Sequence, residues 1–286
     1  MAMEGAFIVS KCRMSFYKRC QSIWADSHAL VCVGLDPEPG RLPEPLRQVN
    51  STDAVYAFCT GIVDATAHAA AAFKPQIAHF AAQGGEQVLE RVCEYIRQRH
   101  PDKLIILDAK RGDIGSTARH YATEAFSRYQ ADAVTLSPYM GFDSLTPFLE
   151  RPDRGVFLLC RTSNAGGADL QDLPLNNGRR LYEQVAHLAA SAWNEHQNIG
   201  LVVGATVPED LAAVRVQAPA LPILVPGIGA QGGDLRAVLK AGRTPSGGLF
   251  INASRSIIYA SEGGDWQAAA QQAASSLLAA IQGEPL

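Results

Sequence analysis

The run Leu104-Ile105-Ile106-Leu107 leads directly into Asp108-Ala109-Lys110-Arg111-Gly112-Asp113-Ile114-Gly115-Ser116-Thr117. Consecutive apolar residues leave no polar face, which is the pattern of a parallel strand covered on both sides. Charges of both signs follow at once. If the extended backbone continues through Lys110, side chains alternate, and Asp108 and Lys110 share a face about 6.5 Å apart. Asp113 comes next, where the strand must give way to a loop. Fixed charges crowded at a strand end suit a reaction in which charge appears or moves.

Working outward, the same unit recurs along the chain. Further short apolar runs lie at Leu30–Leu35, Ala72–Ile77, Ala133–Leu136, Val156–Cys160, Gly200–Val203, Ile223–Val225 and Gly248–Ile251. Helical patterns separate them: Thr52–Ala70, Glu86–Arg99, Thr117–Tyr129, Arg179–Glu195 and Asp234–Lys240, with Trp266–Ile281 closing the chain. In Glu86–Arg99, Val88, Leu89, Val92, Tyr95 and Ile96 form one apolar stripe. With Leu104–Asp108 the strands number eight, and no break in composition divides the 286 residues. This predicts an α/β chain folded as a single (β/α)8 TIM barrel over 14–286, with an open doubly wound sheet as competitor. Residues 1–13 fit neither a signal peptide nor the repeat; they are expected to be a non-native or disordered extension, with Met14 as the natural start. Charged, Gly-rich or Asn-rich motifs follow nearly every strand, on the side where a barrel carries its active site. The polar stretch Arg161–Gly178 is a candidate mobile lid or a plain connector.

Composition narrows the class. Apolar residues make up 47% and charged residues 19%, with a net charge of −3. That balance argues against a nucleic-acid surface or a polybasic membrane contact. No apolar stretch approaches the roughly 20 residues needed to span a bilayer. The six cysteines (Cys12, Cys20, Cys32, Cys59, Cys93, Cys160) are scattered, without a CxxC pair or zinc spacing. Reduced core thiols and a cytoplasmic location are expected.

The segment Val225-Pro226-Gly227-Ile228-Gly229-Ala230-Gln231-Gly232 fits GxGxxG through Gly227, Gly229 and Gly232. A dinucleotide reading needs an acid at the end of the next strand, where Asn252-Ala253-Ser254-Arg255 stands instead. A phosphate cradle fits better: glycine N–H groups at a helix start, then more N–H groups around Ser254 and the guanidinium of Arg255. The bland alternative makes the glycines turn residues and Arg255 a surface charge. Lys74, in Phe73-Lys74-Pro75, would alone be a snorkelling lysine. Asp36, in Gly34-Leu35-Asp36-Pro37, would alone be a turn residue. A barrel brings both to the same mouth as Asp108 and Lys110.

Together these motifs resemble the orotidine 5′-phosphate decarboxylase family, from Leu30 to about Ala260. The most specific part is DxKxxDIxxT, here Asp108, Lys110, Asp113, Ile114 and Thr117. The string DAKRGDIGSTA and the long loop after the fifth strand look like the longer bacterial branch. The resemblance implies a Lys-Asp-Lys-Asp array at Lys74, Asp108, Lys110 and Asp113. It implies a homodimer in which Asp113, Ile114 and Thr117 cross into the partner's site. Ser163 would read the pyrimidine, Asp36 and Pro226 would touch substrate, and Gln231, Gly229, Ser254 and Arg255 would hold phosphate. One departure stands out: Asn252-Ala253-Ser254 replaces the small glycine-containing motif that precedes the arginine in shorter members.

The implied reaction, decarboxylation of orotidine 5′-monophosphate to UMP in pyrimidine biosynthesis, leaves an electron pair in the ring plane that ring resonance does not relieve. No cofactor or metal is expected; Lys110 would stabilise the pair and protonate C6, with Asp108 and Asp113 positioning the lysines. Phosphate binding could drive loop closure and so raise the chemical rate. Two alternatives remain. Related barrels such as hexulose-phosphate synthase or keto-gulonate-phosphate decarboxylase share the DxKxxD core but use it to hold Mg2+. A retired barrel could serve as a phosphate-ligand sensor, although a sensor needs no charged array.

Overall fold

In the computed structural model the described residues are 14–27, 30–48, 51–228 and 233–284. The strands are Val31–Leu35 (β1), Ala70–Pro75 (β2), Leu104–Arg111 (β3), Ala133–Leu136 (β4), Gly155–Arg161 (β5), Ile199–Val203 (β6), Ile223–Pro226 (β7) and Leu249–Ala253 (β8). They close in chain order into a parallel barrel, with β1 pairing both β2 and β8. The expected TIM barrel is the observed fold, and the open sheet is excluded by that closure. The extension over 1–13 lies outside the described residues.

The helices are Phe16–Ser27 (α1), Ser51–Thr66 (α2), Ile77–Ala81 (α3), Glu86–Arg99 (α4), Gly115–Thr123 (α5), Phe142–Leu149 (α6), Ala168–Gln171 (α7), Leu181–Ala190 (α8), Pro208–Gln217 (α9), Leu235–Gly242 (α10), Arg255–Ile258 (α11) and Trp266–Gly283 (α12). Helix α4 has the expected bounds and buries Val88, Leu89, Val92 and Ile96. Several boundaries differ for physical reasons. The alanines 69–72 favour a helix locally, yet Ala70–Ala72 are fully buried in β2, where small side chains fit beneath α1 and beside β1. The helix expected over 117–129 starts at Gly115 and ends in a π-helical turn, Glu124–Arg128. That turn sets Glu124 against Arg111, with N···O 2.9 Å. The helix expected over 179–195 is shorter, because Glu183 accepts the Arg180 N–H and caps its start, and the chain leaves helical geometry at Ser191.

Helix α1 was not anticipated, although Phe16, Cys20 and Trp24 recur at helical spacing. It closes the N-terminal end of the barrel. Phe16 packs edge-on against Phe157 at 5.9 Å, and Trp24 lies 5.1 Å from Phe250. Phe157 and Phe250 meet each other inside the barrel at 6.0 Å. Gly155 makes room for Phe16, since a Cβ there would sit 2.4 Å from the ring. Burial of each such aromatic contributes about 1.5–3 kcal/mol. Below β4, the buried Asp132 accepts from Arg19 (2.6 Å), Arg97 (2.8 Å) and the Ile105 N–H (2.8 Å). One end of the barrel is thereby sealed, and the C-terminal strand ends face the other.

The Arg161–Gly178 stretch is tied down in this structure. Arg161 is buried and pairs with Asp210 at 2.7 Å and Asp172 at 3.2 Å. The Gln171 Oε1 accepts the Thr162 N–H at 2.9 Å. Cys20, Cys32, Cys59, Cys93 and Cys160 are free, buried thiols; Cys12 lies outside the described residues. No helix among the described residues is long and apolar enough to cross a membrane.

Candidate active site

The charged residues of the sequence reading sit at the C-terminal strand ends: Lys74 in β2, Asp108 and Lys110 in β3, and Asp36 just past β1. Asp108 is the hub. Its Oδ2 accepts from Lys74 Nζ at 2.8 Å and from Gln76 Nε2 at 3.1 Å. Its Oδ1 accepts from Lys110 Nζ at 2.5 Å and from Thr135 Oγ1 at 2.9 Å. Both oxygens of this nearly buried carboxylate are therefore committed.

Asp108 and Lys110 meet, but not through simple alternation. The β3–β4 ladder pairs Leu107 with Val134 and resumes at Arg111 with Leu136, so residues 108–110 bulge opposite Thr135. Lys110 takes φ +47°, a conformation uncommon for a residue with a side chain and frequent at functional sites. The Thr135 hydroxyl holds the bulge, accepting the N–H groups of Ala109 at 3.0 Å and Lys110 at 2.9 Å while donating to Asp108. Bulges re-aim side chains, and this one turns Lys110 back over the carboxylate.

The two lysines differ in kind. The side chain of Lys74 is 5% exposed and that of Lys110 is 47% exposed. Burial pulls the Lys74 pKa down, but the carboxylates of Asp108 and Asp36 outweigh it and hold the ammonium above the ordinary lysine value. Burial likewise raises the Asp108 pKa, and the two lysines more than reverse this, holding it well below the usual carboxylate range. The pair is thus a fixed, ionised base, and Lys110 is its outward cation.

Thr135 and Gln76 were not singled out from sequence. A signal existed for Thr135, the polar residue in the otherwise apolar β4 strand Ala133–Leu136. Gln76 carries none beyond following Pro75. Across the mouth, Ser254 Oγ donates to Asp36 Oδ2 at 2.6 Å. Asp36 Oδ1 and Asn252 Oδ1 are buried without a partner among the described residues. Ser163, just past β5, packs against Gly204, where a Cβ would come within 2.8 Å of its own. Pro226 ends β7, and Gly227 follows with φ +103°. Among the described residues, no group of three His, Cys, Asp or Glu side chains is arranged to hold a metal ion.

A family model described as orotidine 5′-phosphate decarboxylase / HUMPS family matches residues 29–273. The chain belongs to that family. An orotidine 5′-phosphate decarboxylase of Bordetella avium (strain 197N) is 56% identical over 270 residues, which is 94% of this chain and 98% of that protein. The solved Leishmania donovani OMP decarboxylase superposes with a TM-score of 0.79 at 42% identity, covering 94% of this chain and 99% of that one. The Leishmania donovani UMP synthase aligns with a TM-score of 0.83 at 43% identity; this chain spans 56% of that longer protein.

The remaining residues expected from the decarboxylase resemblance are not gathered at the hub within one chain. Asp113 bonds its own loop, accepting the Ile114 N–H at 2.8 Å, and pairs with none of Lys74, Asp108 or Lys110. Ile114 is 52% exposed, and Thr117 is exposed. Arg255 opens α11 and is exposed, with no ion pair to any described residue. Gly229 and Gln231 lie outside the described residues.

Proposed function

We propose that this chain decarboxylates orotidine 5′-monophosphate to UMP, without metal or organic cofactor, in the cytoplasm. The observation that carries the reading is the ordered pair of ammoniums on Asp108, one buried and one turned to the mouth. In the proposed step the C6–carboxylate bond breaks and its electron pair stays on C6. Lys110 Nζ faces that pair, stabilises it and donates a proton to C6; carbon dioxide leaves, and solvent reprotonates Lys110.

Asp108 serves mainly to position. Both its oxygens are already bonded, so its charge is spent on holding Lys74 and Lys110. The same commitment disfavours the Mg2+ enediolate chemistry of a sugar-phosphate barrel, because a metal would have to displace ammonium contacts. Arg255 and the loop after β7, including Gln231 and Gly229, bind phosphate, while Ser163 and Pro226 contact the substrate.

The active unit is a homodimer. Ile114 after β3, Tyr139 and Met140 after β4, and Phe142 at the start of α6 are large apolar residues 41–80% exposed. A cluster of that kind supports a protein contact beside the mouth. Covering it would carry Asp113, Ile114 and Thr117 into the partner's site. The test is a spectrophotometric decarboxylation assay on the purified chain with and without EDTA. Turnover of orotidine 5′-monophosphate unchanged by EDTA is expected. No turnover, or loss of turnover with EDTA, would overturn the proposal.

A further inference from the structure

We infer that Arg111 and Glu124 form a positioning clamp that acts in trans: it sets the Asp113 of its own chain for the partner's active site and leaves the Lys110 of its own site unaffected. The inference rests on the homodimer with shared sites proposed above. It gives a role to two residues outside the charged array.

Arg111 ends β3, directly after Lys110 and just before the Asp113 loop, Gly112–Ile114. Its guanidinium meets Glu124 as a fork. Nη2 donates to Oε1 at 3.1 Å and to Oε2 at 2.9 Å, and Nε donates to Oε2 at 3.2 Å. The same group lies 4.4 Å above the Tyr121 ring. Tyr121 belongs to α5 and Glu124 follows its last residue, so the Arg111 side chain ties the base of the loop to the helix that the loop enters. The backbone widens where Glu124 stands. The Tyr129 N–H donates to the Glu124 carbonyl at 3.0 Å, an i→i+5 bond of the π-helical turn Glu124–Arg128. Such turns are rare and collect at functional sites. The two side chains are 25% and 24% exposed, so solvent screens the pair and its contribution to stability is modest. What a planar fork adds is a fixed direction.

Lys110 is held by other means. Thr135 Oγ1 accepts the N–H groups of Ala109 and Lys110, and Lys110 Nζ donates to Asp108. The strand end is fixed through its backbone, since the Arg111 carbonyl accepts the Ser137 N–H at 2.8 Å. Asp113 Oδ1 accepts the Ile114 N–H at 2.8 Å, so this carboxylate turns with its loop. Opening the clamp therefore frees α5 and the Asp113 loop to shift while Asp108 and Lys110 stay. Displacing a working group by about 1 Å costs on the order of 10²-fold in rate.

The test uses dimers of two differently tagged chains, isolated through both tags and assayed for turnover. Glu124→Ala by itself should lower kcat by about 10–100-fold and Tm by no more than about 3 °C. Paired with Lys110→Ala, it should regain one site at the unsubstituted rate, because that site takes its Lys110 from the Glu124→Ala chain and its Asp113 from an intact clamp. Paired with Asp113→Ala, it should regain nothing, because the remaining Asp113 comes from the broken clamp. Arg111→Ala should pair in the same way. The reverse pattern, with rescue by Asp113→Ala and none by Lys110→Ala, would make the clamp serve its own site and overturn the inference. So would equal rescue by both, or a kcat within about threefold of the unsubstituted chain. If Glu124→Ala does not fold, Glu124→Gln, which keeps the size and loses the charge, is judged by the same pattern. Lys110→Ala with Asp113→Ala is the control; if it restores no activity, the shared-site reading itself fails and the inference falls with it.

Discussion

Lys110→Ala removes the half-exposed ammonium and leaves the buried Lys74–Asp108 pair in place. Opposite unit charges about 4 Å apart interact by roughly 4 kcal/mol at an effective dielectric near 20. At about 1.4 kcal/mol per tenfold, that corresponds to roughly three orders of magnitude in rate. Loss of a positioned proton donor is worth about 10²–10⁴-fold by itself, and the two effects overlap because one group supplies both. Turnover should therefore fall at least about 10³-fold. Stability should hardly change. Asp108 keeps Lys74, Gln76 and Thr135, and the lost ammonium is 47% exposed and screened by solvent. A loss of about 1 kcal/mol or less is expected, a shift of a few degrees in Tm. Because Lys110 sits at φ +47°, Lys110→Gly should be about 1 kcal/mol more stable than Lys110→Ala and equally inactive. The assay pairs single-turnover decarboxylation, followed by the change in ring absorbance, with calorimetric melting and UMP binding. Turnover within about tenfold of the unsubstituted chain would refute the reasoning, since no electrostatic role of this size could then belong to Lys110.

Arg255→Ala should weaken UMP by about 10–100-fold and uridine hardly at all, measured by calorimetry; equal losses would remove Arg255 from phosphate recognition. Mixing Lys110→Ala with Asp113→Ala subunits should restore part of the activity, because one of the two mixed sites would be intact. Inactive dimers shown to be mixed would count against shared sites. Asp132→Asn should lower stability near neutral pH by about 2–3 kcal/mol, since it leaves partly buried guanidiniums without their buried carboxylate. Burial raises the Asp132 pKa, but Arg19 and Arg97 outweigh it and hold it below its ordinary value. Its contribution is therefore complete above about pH 4 and is lost as pH falls through the lower folded value. Denaturant melts of the two proteins should converge as the solution is acidified below about pH 4, and a constant gap would contradict this account.

Much of the architecture is written locally. The strands at 104–111 and 133–136 and the helix at 86–99 announce themselves through apolar runs or a stripe of period 3.6, patterns that depend on near neighbours in the chain. The charged residues of the mouth are equally visible, because charge directly after a buried strand conflicts with burial unless something uses it. Local patterns mislead where tertiary context overrides them. The alanines before Phe73 pair into β2 despite their helix preference, and α1 buries a stripe whose target, the sealed end of the barrel, exists only once the sheet has closed.

The sequence by itself determined a barrel of eight strand–helix units, its family and the set of charges at its rim. Tertiary structure alone decided how those charges are used. Lys74 and Asp108 are 34 positions apart and Ser254 and Asp36 are 218 apart, so their contacts depend on barrel closure. The bulge over Thr135 turns Lys110 back onto Asp108 and leaves it half exposed at the mouth, while Lys74 is buried against the same carboxylate. Hydrogen-bond directions and solvent access are properties of the assembled strand ends, and no single stretch of chain specifies them.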